Sequence, residues 1–323
     1  MLEQQAASII NTATKTTSPV VFTNSGTSAL MCALYSCDAP LGSLVIGPNY
    51  GYHAWFNVAR FMKLNIAVAD VNPNTLCMSY DSVKELVDNY AVSAIIYVYH
   101  LGILDRDILR IRELCDARNI VLIEDSCNSL GSTMPDFNTF GIGDISCLSF
   151  SEKKTIDLGE GGCGIINNPA LLERFMECQF QGNFHRGNKS FALGLNLQMN
   201  TLALERLITY DYSSIIAERQ RVYESLPFNV IHAEDQTSPS RLCIACNASA
   251  TIAKFNKFVK RKVDLTSDDN YKTITSFDFE GDFFFKSCIV YHAKYTPDIL
   301  YLPNYNELDE NTIKFIQHSL CFS

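Results

Sequence analysis

The chain has no basic run and no alternation of aromatic with basic side chains, which excludes an extended nucleic-acid footprint. Its 26 Lys and Arg are outnumbered by 35 Asp and Glu, for a net charge of −9. A helix N-terminus can still hold an anion locally in a chain of this charge. No apolar run approaches the ~20 residues needed to cross a bilayer. The longest, such as residues 94–98, have the length of a buried strand. The opening residues Met1-Leu-Glu-Gln-Gln lack a cationic stretch ahead of an apolar core, so no signal peptide is expected. Internal repeats and low-complexity linkers are also missing. These absences lead to the expectation of a cytoplasmic protein without membrane or nucleic-acid partners.

Cysteine, by contrast, is plentiful at twelve. Most, such as Cys32, Cys115, Cys147 and Cys288, sit singly in apolar segments, where a free thiol packs as a small hydrophobe. Only Cys243-Ile-Ala-Cys246 has a metal-like spacing, and the second ligand pair that zinc would need is lacking. No metal site is expected, and these two thiols are read as packing groups in a reducing compartment.

With 323 residues and 47% hydrophobic content, the chain can bury a core larger than one small domain needs. Apolar runs at 20–23, 43–46, 66–71, 94–99, 120–124, 144–150 and 162–166 are bounded by turn residues. Helical patterns intervene at 27–37 and 106–118, the latter with Ile108, Ile111, Leu114 and Cys115 at helical spacing. Buried strands alternating with helices predict a mostly parallel sheet covered on both faces. From 200 to 226 the pattern predicts one long helix with Leu202, Leu204, Leu207 and Ile208 on one side. Runs at 241–246 and 283–291 and a helix at 310–320 follow. The predicted organisation is a large α/β domain over 1–200 and a smaller α+β domain over 201–323.

Four segments fall where a parallel-sheet enzyme places its site, at the carboxyl ends of strands. Asn24-Ser-Gly-Thr-Ser-Ala29 follows a strand and opens a helix, so its backbone N–H groups suit an anion. Gly26 permits close approach and Thr27 offers a hydroxyl, although a plain Ser/Thr cap fits the same residues. Ile123-Glu-Asp-Ser-Cys-Asn128 ends an apolar strand on an acidic pair. A carboxylate there is costly to desolvate without a cation, and a protonated pyridine nitrogen is one such cation. Ser149-Phe-Ser-Glu-Lys-Lys-Thr-Ile-Asp-Leu-Gly-Glu-Gly-Gly162 runs from a strand into a loop with two lysines. A lysine nucleophile must shed its proton, which desolvation assists. Gly47-Pro-Asn-Tyr-Gly-Tyr-His53 is an aromatic turn in which Tyr52 could cover a ring or simply edge the core.

In this order the segments resemble the DegT/DnrJ/EryC1/StrS family of sugar aminotransferases, which depend on pyridoxal 5′-phosphate (PLP). The resemblance is strongest over 20–30, 45–76, 95–131 and 139–166 and returns at Leu302-Pro-Asn-Tyr-Asn-Glu-Leu308. It implies the type I PLP-transferase fold. It further implies that Lys154, four residues after Phe150, is the Schiff-base lysine, while Lys153 falls on a variable position. Asp125 would pair with the pyridinium nitrogen, and Asn128 stands where the family has His or Gln near the cofactor's 3-oxygen. Ser25, Gly26, Thr27 and Ser149 match phosphate-binding positions, and Tyr52 matches the stacked aromatic residue. Asn196 matches the asparagine that reaches the neighbouring subunit's cofactor, which implies a homodimer with a shared active site. The implied reaction moves an amino group from an amino acid, glutamate by family analogy, to a nucleotide-linked keto-sugar.

The chain departs from the family in three respects. It begins almost directly in the helix before Ser25-Gly-Thr, and its small domain is short. Two family arginines are replaced by amides, in Gln179-Phe-Gln-Gly182 and Asn196-Leu-Gln-Met199. Glutamine cannot supply the bidentate charged pairing of arginine; Arg186 in the following loop is a candidate substitute. Two other readings stay open: a non-catalytic PLP-binding homologue, and a PLP-dependent sugar modification of another type. Family members with deoxygenating chemistry carry histidine at the lysine position, which Lys154 argues against.

Overall fold

The computed structural model describes residues 1–40, 43–182, 192–226, 243–245, 289–291 and 299–301, with 310, 313, 314 and 317. The helix predicted at 310–320, the loop with Arg186, Cys246, Cys288 and the 302–308 segment lie wholly or largely outside these residues.

The strands are β1 (Val20–Thr23), β2 (Leu44–Pro48), β3 (Asn65–Ala69), β4 (Val92–Val98), β5 (Val121–Asp125), β6 (Ile145–Ser149) and β7 (Gly162–Ile166). Short strands follow: β8 (Cys243–Ala245), β9 (Ile289–Tyr291) and β10 (Ile299–Tyr301). The main sheet has the order β1-β7-β6-β5-β4-β2-β3-β9, and β8 pairs with β10 apart from it. Only β7 runs against its neighbours β1 and β6; every other pairing in the main sheet is parallel. The predicted mostly parallel sheet is therefore observed. Thr23, Pro48, Val98, Asp125 and Ser149 all end their strands at one edge. Between β2 and β4 successive connections turn in opposite directions, which opens a crevice at that edge.

Period-two alternation divides each strand between two cores. On one face Ile46, Ala67, Ile95, Tyr97 and Leu122 pack under α4 (Tyr80–Asn89) and α5 (Asp107–Arg118). On the other, Val45, Ile66, Ile96, Val98 and Ile123 pack under α2 (Gly26–Ser36), α3 (Ala54–Phe61) and α6 (Leu172–Gln179). The helix α5 buries Ile108, Ile111 and Cys115 at the predicted spacing. It stops at Asn119, whose φ of 53° is left-handed, a conformation asparagine tolerates. A third core sets α1 (Leu2–Thr14), through Ala6 and Ile10, against Phe22, Leu148 and Ile165.

The single long helix predicted from 200 to 226 is instead two, α7 (Thr201–Ile208) and α8 (Tyr212–Glu224). Asn200 caps α7 by accepting from the Ala203 amide, and Asp211 caps α8 by accepting from the Ser214 amide. An aspartate that can satisfy a new helix start makes a break inexpensive. Leu204 and Leu207 pack into the third core, whereas Leu202 is 72% exposed.

Gly162 opens β7 where backbone passes backbone. A Cβ there would lie 2.6 Å from the Leu148 carbonyl oxygen and 2.7 Å from the Gly26 nitrogen. Neither can rotate away. Gly162→Ala is therefore expected to destabilise the protein by about 3 kcal/mol, the scale of a severe overpacking, measured as a lowered urea midpoint. A midpoint equal to that of the unmodified protein would refute the close approach.

Candidate active site

The loop after β1 begins the site. Ser25 caps α2, its Oγ accepting from the Ser28 amide at 3.1 Å, and Gly26 and Thr27 form the first helical turn. A Cβ on Gly26 would lie 2.8 Å from the Ser149 Cβ and 2.9 Å from the Cys127 Sγ. Glycine thus lets the helix start settle against the ends of β5 and β6, and the dipole end becomes the floor of a cavity.

That cavity has a volume of about 460 Å³. Eight of the nine predicted site residues line it: Ser25, Gly26, Thr27, Tyr52, Asp125, Asn128, Ser149 and Lys154. Asn196 does not. It is exposed and pairs by a β-bridge with Phe180, outside its own chain's cavity.

The two adjacent lysines are separated by the turn. Lys153 has a left-handed φ of 69°, donates its amide to Asp157 and is exposed to solvent. Such a residue reverses the chain, so its neighbour points elsewhere. Lys154 is half-buried, and its Nζ donates to the Asn128 Oδ1 at 2.8 Å. The loop is held from outside by Thr155, whose hydroxyl donates to the Leu130 carbonyl at 2.8 Å. Arg219 of α8, itself buried, donates to the same carbonyl at 3.3 Å and to the Thr155 hydroxyl at 3.0 Å.

Asp125 is only 5% exposed. Burial pushes its carboxyl above the usual range; hydrogen bonds from the Cys127 thiol and amide, then the Lys154 charge, pull it back. A carboxylate so placed gains most from a cationic ring nitrogen. Tyr52 lines the same cavity, 46% exposed, its ring tilted at 4.8 Å from that of His53. A helix N-terminus ringed by hydroxyls, a buried acid, a half-buried amine and an exposed aromatic ring fit the phosphate, ring nitrogen, aldehyde and ring face of PLP.

Residues 10–226 match the DegT/DnrJ/EryC1/StrS aminotransferase family. The chain belongs to this family. Its aminotransferases are PLP-dependent. One family relative, the L-glutamine:2-deoxy-scyllo-inosose aminotransferase of Streptomyces kanamyceticus, is 31% identical over 163 residues, 50% of this chain and 38% of that protein. The GDP-perosamine synthase of Escherichia coli O157:H7 is 32% identical over 180 residues, 55% of this chain and 49% of that protein. The match thus spans less than half the length of each. Among solved structures, a family aminotransferase from Brucella abortus superposes with a TM-score of 0.81 at 18% identity, covering 98% of this chain and 90% of that one. That likeness confirms the expected type I PLP-transferase fold.

The family's missing arginines now have a physical setting. Gln179 is buried, and its amide donates to the Phe22 carbonyl at 2.9 Å, so it serves the outer edge of β1. Gln198 is exposed and bridges Thr23 on that edge. Both border a cavity of about 650 Å³ behind β1 that is separate from the one around Lys154.

Sequence reasoning missed four further polar groups that line the cavity around Lys154: His100, Cys127, Ser151 and Glu160. His100 lies just past the end of β4, at the edge where Asp125 closes β5, so strand-end position alone could have drawn attention to it. Glu160 lies within the glycine turn that marked Lys154. Among the described residues no cluster of His, Cys, Asp or Glu could hold a metal ion, and no helix is long and apolar enough to cross a membrane.

Glu124, next to Asp125, faces the other way into the first core. It is fully buried and accepts from the Tyr99 hydroxyl at 2.7 Å, the Ser146 hydroxyl at 2.6 Å and the Gly143 amide at 2.8 Å. Burial raises its pKa from 4.5 to about 7, against those hydrogen bonds. The folded state then holds this proton more tightly than the unfolded chain. Its contribution, roughly 3 kcal/mol, is complete below pH 4.5 and is lost as pH rises to about 7. Glu124→Gln is expected to remove that part of the pH dependence in urea midpoints between pH 4.5 and 7.5. An unchanged slope would show that other groups set it.

Proposed function

We propose that the chain is a PLP-dependent aminotransferase that carries an amino group from an amino acid, glutamate first among candidates, to a nucleotide-linked keto-sugar. The observation that carries this reading is the convergence of Lys154, Asp125 and the α2 N-terminus on one cavity. PLP supplies an aldehyde for the amine and a ring that takes up electrons when its nitrogen is protonated. Asp125 holds that proton at the ring nitrogen. Ser25, Thr27 and Ser149 bind the phosphate together with the first-turn amides of α2. Tyr52 covers the ring face and excludes water. With the cofactor bound, the Nζ of Lys154 would act as base and acid, taking a proton from the donor's α-carbon and delivering it to the carbon that had carried the cofactor's aldehyde oxygen.

Named relatives favour a sugar-related acceptor but differ in its form. They include a GDP-sugar enzyme, a dTDP-sugar 4-aminotransferase and a 3-oxo-glucose-6-phosphate:glutamate aminotransferase. In the proposed homodimer, the exposed Asn196 reaches the partner's cofactor phosphate. We place the large PLP-binding domain at 1–200 and the smaller domain at 201–323, in a cytoplasmic enzyme serving polysaccharide biosynthesis.

The test is to load the purified protein with PLP and add glutamate or glutamine, following the visible band and extracting the cofactor. The reading expects pyridoxamine phosphate to form, then to be consumed on adding a keto-sugar nucleotide, with ping-pong kinetics. A band unchanged by every amino donor would refute the aminotransferase reading.

A further inference from the structure

The chain turns sharply just beyond β4. Leu101 has a left-handed φ of 55°, and Gly102 one of 78°. A leucine rarely adopts that conformation. Two features offset the strain: Leu101 is buried in the first core, and the Ile103 amide donates to the His100 carbonyl at 2.9 Å. Ahead of the turn, the Tyr99 amide donates to the Asp125 carbonyl at 3.1 Å, which ties this corner to the end of β5. With Leu101 in the core, His100 forms part of the cavity wall and is only 1% exposed. Its ring packs against the aromatic turn after β2. It meets Tyr50 edge-on, with ring centroids 5.0 Å apart at 67°. The Nδ1 faces the next residue: a Cβ on Gly51 would lie 3.5 Å from that nitrogen and 3.8 Å from the Val98 Cγ1. Gly51 has a φ of 138°, a conformation glycine adopts without a side chain to lock it. On one side of it Tyr50 is buried; on the other, the half-exposed Tyr52 lines the cavity.

We propose that His100 is a positioning residue for Tyr52: its ring props the turn from Tyr50 to Tyr52, so that Tyr52 stands over the cofactor ring. The inference rests on the reading of Tyr52 as the residue that covers that ring. Shape carries the role. The flat imidazole touches the Tyr50 ring and the Gly51 backbone at once, and close-packed side chains transmit position because they leave little room to shift. Without the ring, the turn loses its support at the one residue that cannot stiffen itself, and Tyr52 moves with it. Lys154 and Asp125 stand on other segments, held by Asn128 and by the Cys127 amide.

The experiment is a double-mutant cycle on the full chain, read as affinity for pyridoxamine phosphate by equilibrium dialysis. That form of the cofactor has no aldehyde and makes no bond to lysine, so it reports the noncovalent site. Tyr52→Ala is expected to weaken binding about tenfold, the scale of an aromatic ring contact. His100→Ala should weaken it about fivefold, as a partial loss of the same contact. The double variant should bind within about twofold of Tyr52→Ala alone, because residues that act through one contact are not additive. His100→Phe keeps a flat ring without the nitrogens and should bind within about twofold of the unmodified protein. A double variant weaker than Tyr52→Ala by the full His100→Ala factor overturns the proposal, since His100 would then act on the cofactor directly or by loosening the site in general. So does His100→Ala at the unmodified affinity. So does His100→Phe binding no tighter than His100→Ala, which would assign the role to the ring nitrogens. Should His100→Ala fail to fold, His100→Leu takes its place under the same criteria. Tyr52→Ala at the unmodified affinity removes the reading of Tyr52, and an unmodified protein that binds no pyridoxamine phosphate removes that of the whole site; this inference falls with either.

Discussion

Lys154→Ala is expected to lower turnover by about 10⁴-fold or more and to abolish borohydride-stable attachment of PLP. The expected size follows from losing two functions at once: the amine that the cofactor's aldehyde bonds, and the base that moves the proton. Alanine there removes a half-buried side chain whose contact is to Asn128, so the fold should survive. Far-ultraviolet circular dichroism and the melting temperature provide the control. Lys153→Ala is the internal comparison, because that residue is exposed and outside the cavity. If Lys153→Ala lost turnover and Lys154→Ala retained it, the register argument that distinguishes the two would be wrong.

Asp125→Asn should cost about 10³-fold in turnover while leaving cofactor attachment to Lys154 intact. Asparagine fits the same space at the end of β5, but cannot hold a proton on the ring nitrogen as a carboxylate does. The effect on stability should have the opposite sign. Burial holds the Asp125 carboxyl above its usual range, which marks ionisation in the folded protein as unfavourable. A neutral amide avoids that desolvation, so the cofactor-free variant should unfold at an equal or higher urea concentration than the unmodified protein at pH 8. This pairing of lost activity with retained or gained stability is characteristic of a functional group kept against the preference of the fold. A variant losing both together would make Asp125 a structural residue.

The legible parts of the fold were those governed by short-range pattern. Buried runs such as 94–98, short, rich in β-branched residues and alternating with helical patterns, read as strands of a covered parallel sheet, and α5 declared itself through Ile108, Ile111 and Cys115. The break between α7 and α8 was not legible from periodicity, since Leu202, Leu204, Leu207 and Ile208 suggest one continuous stripe. The local cap at Asp211 makes the break inexpensive, and the packing of Leu204 and Leu207 on α1, which depends on chain placed elsewhere, decides it.

For the site, sequence alone determined which residue types stand at the strand ends: Ser25-Gly-Thr27 after β1, Asp125 closing β5, Ser149 closing β6, and Lys154 in register with Phe150 and the glycine turn. Local order suffices there because a strand's carboxyl end and the helix that follows are set by neighbours in the chain. Only the tertiary structure decided that these ends share one cavity, since β7 pairs antiparallel with both β1 and β6 and so brings the end of β1, 100 or more residues away in sequence, to the edge where β5 and β6 end. It also decided what sequence could not show for Gln179, which was read as a lost arginine. Its amide is buried and donates to the Phe22 carbonyl on the sheet's outer strand. The physical reason is the same in both cases. A polar group's role depends on which partner's hydrogen bond offsets its desolvation, and that partner is chosen by packing, not by sequence neighbours.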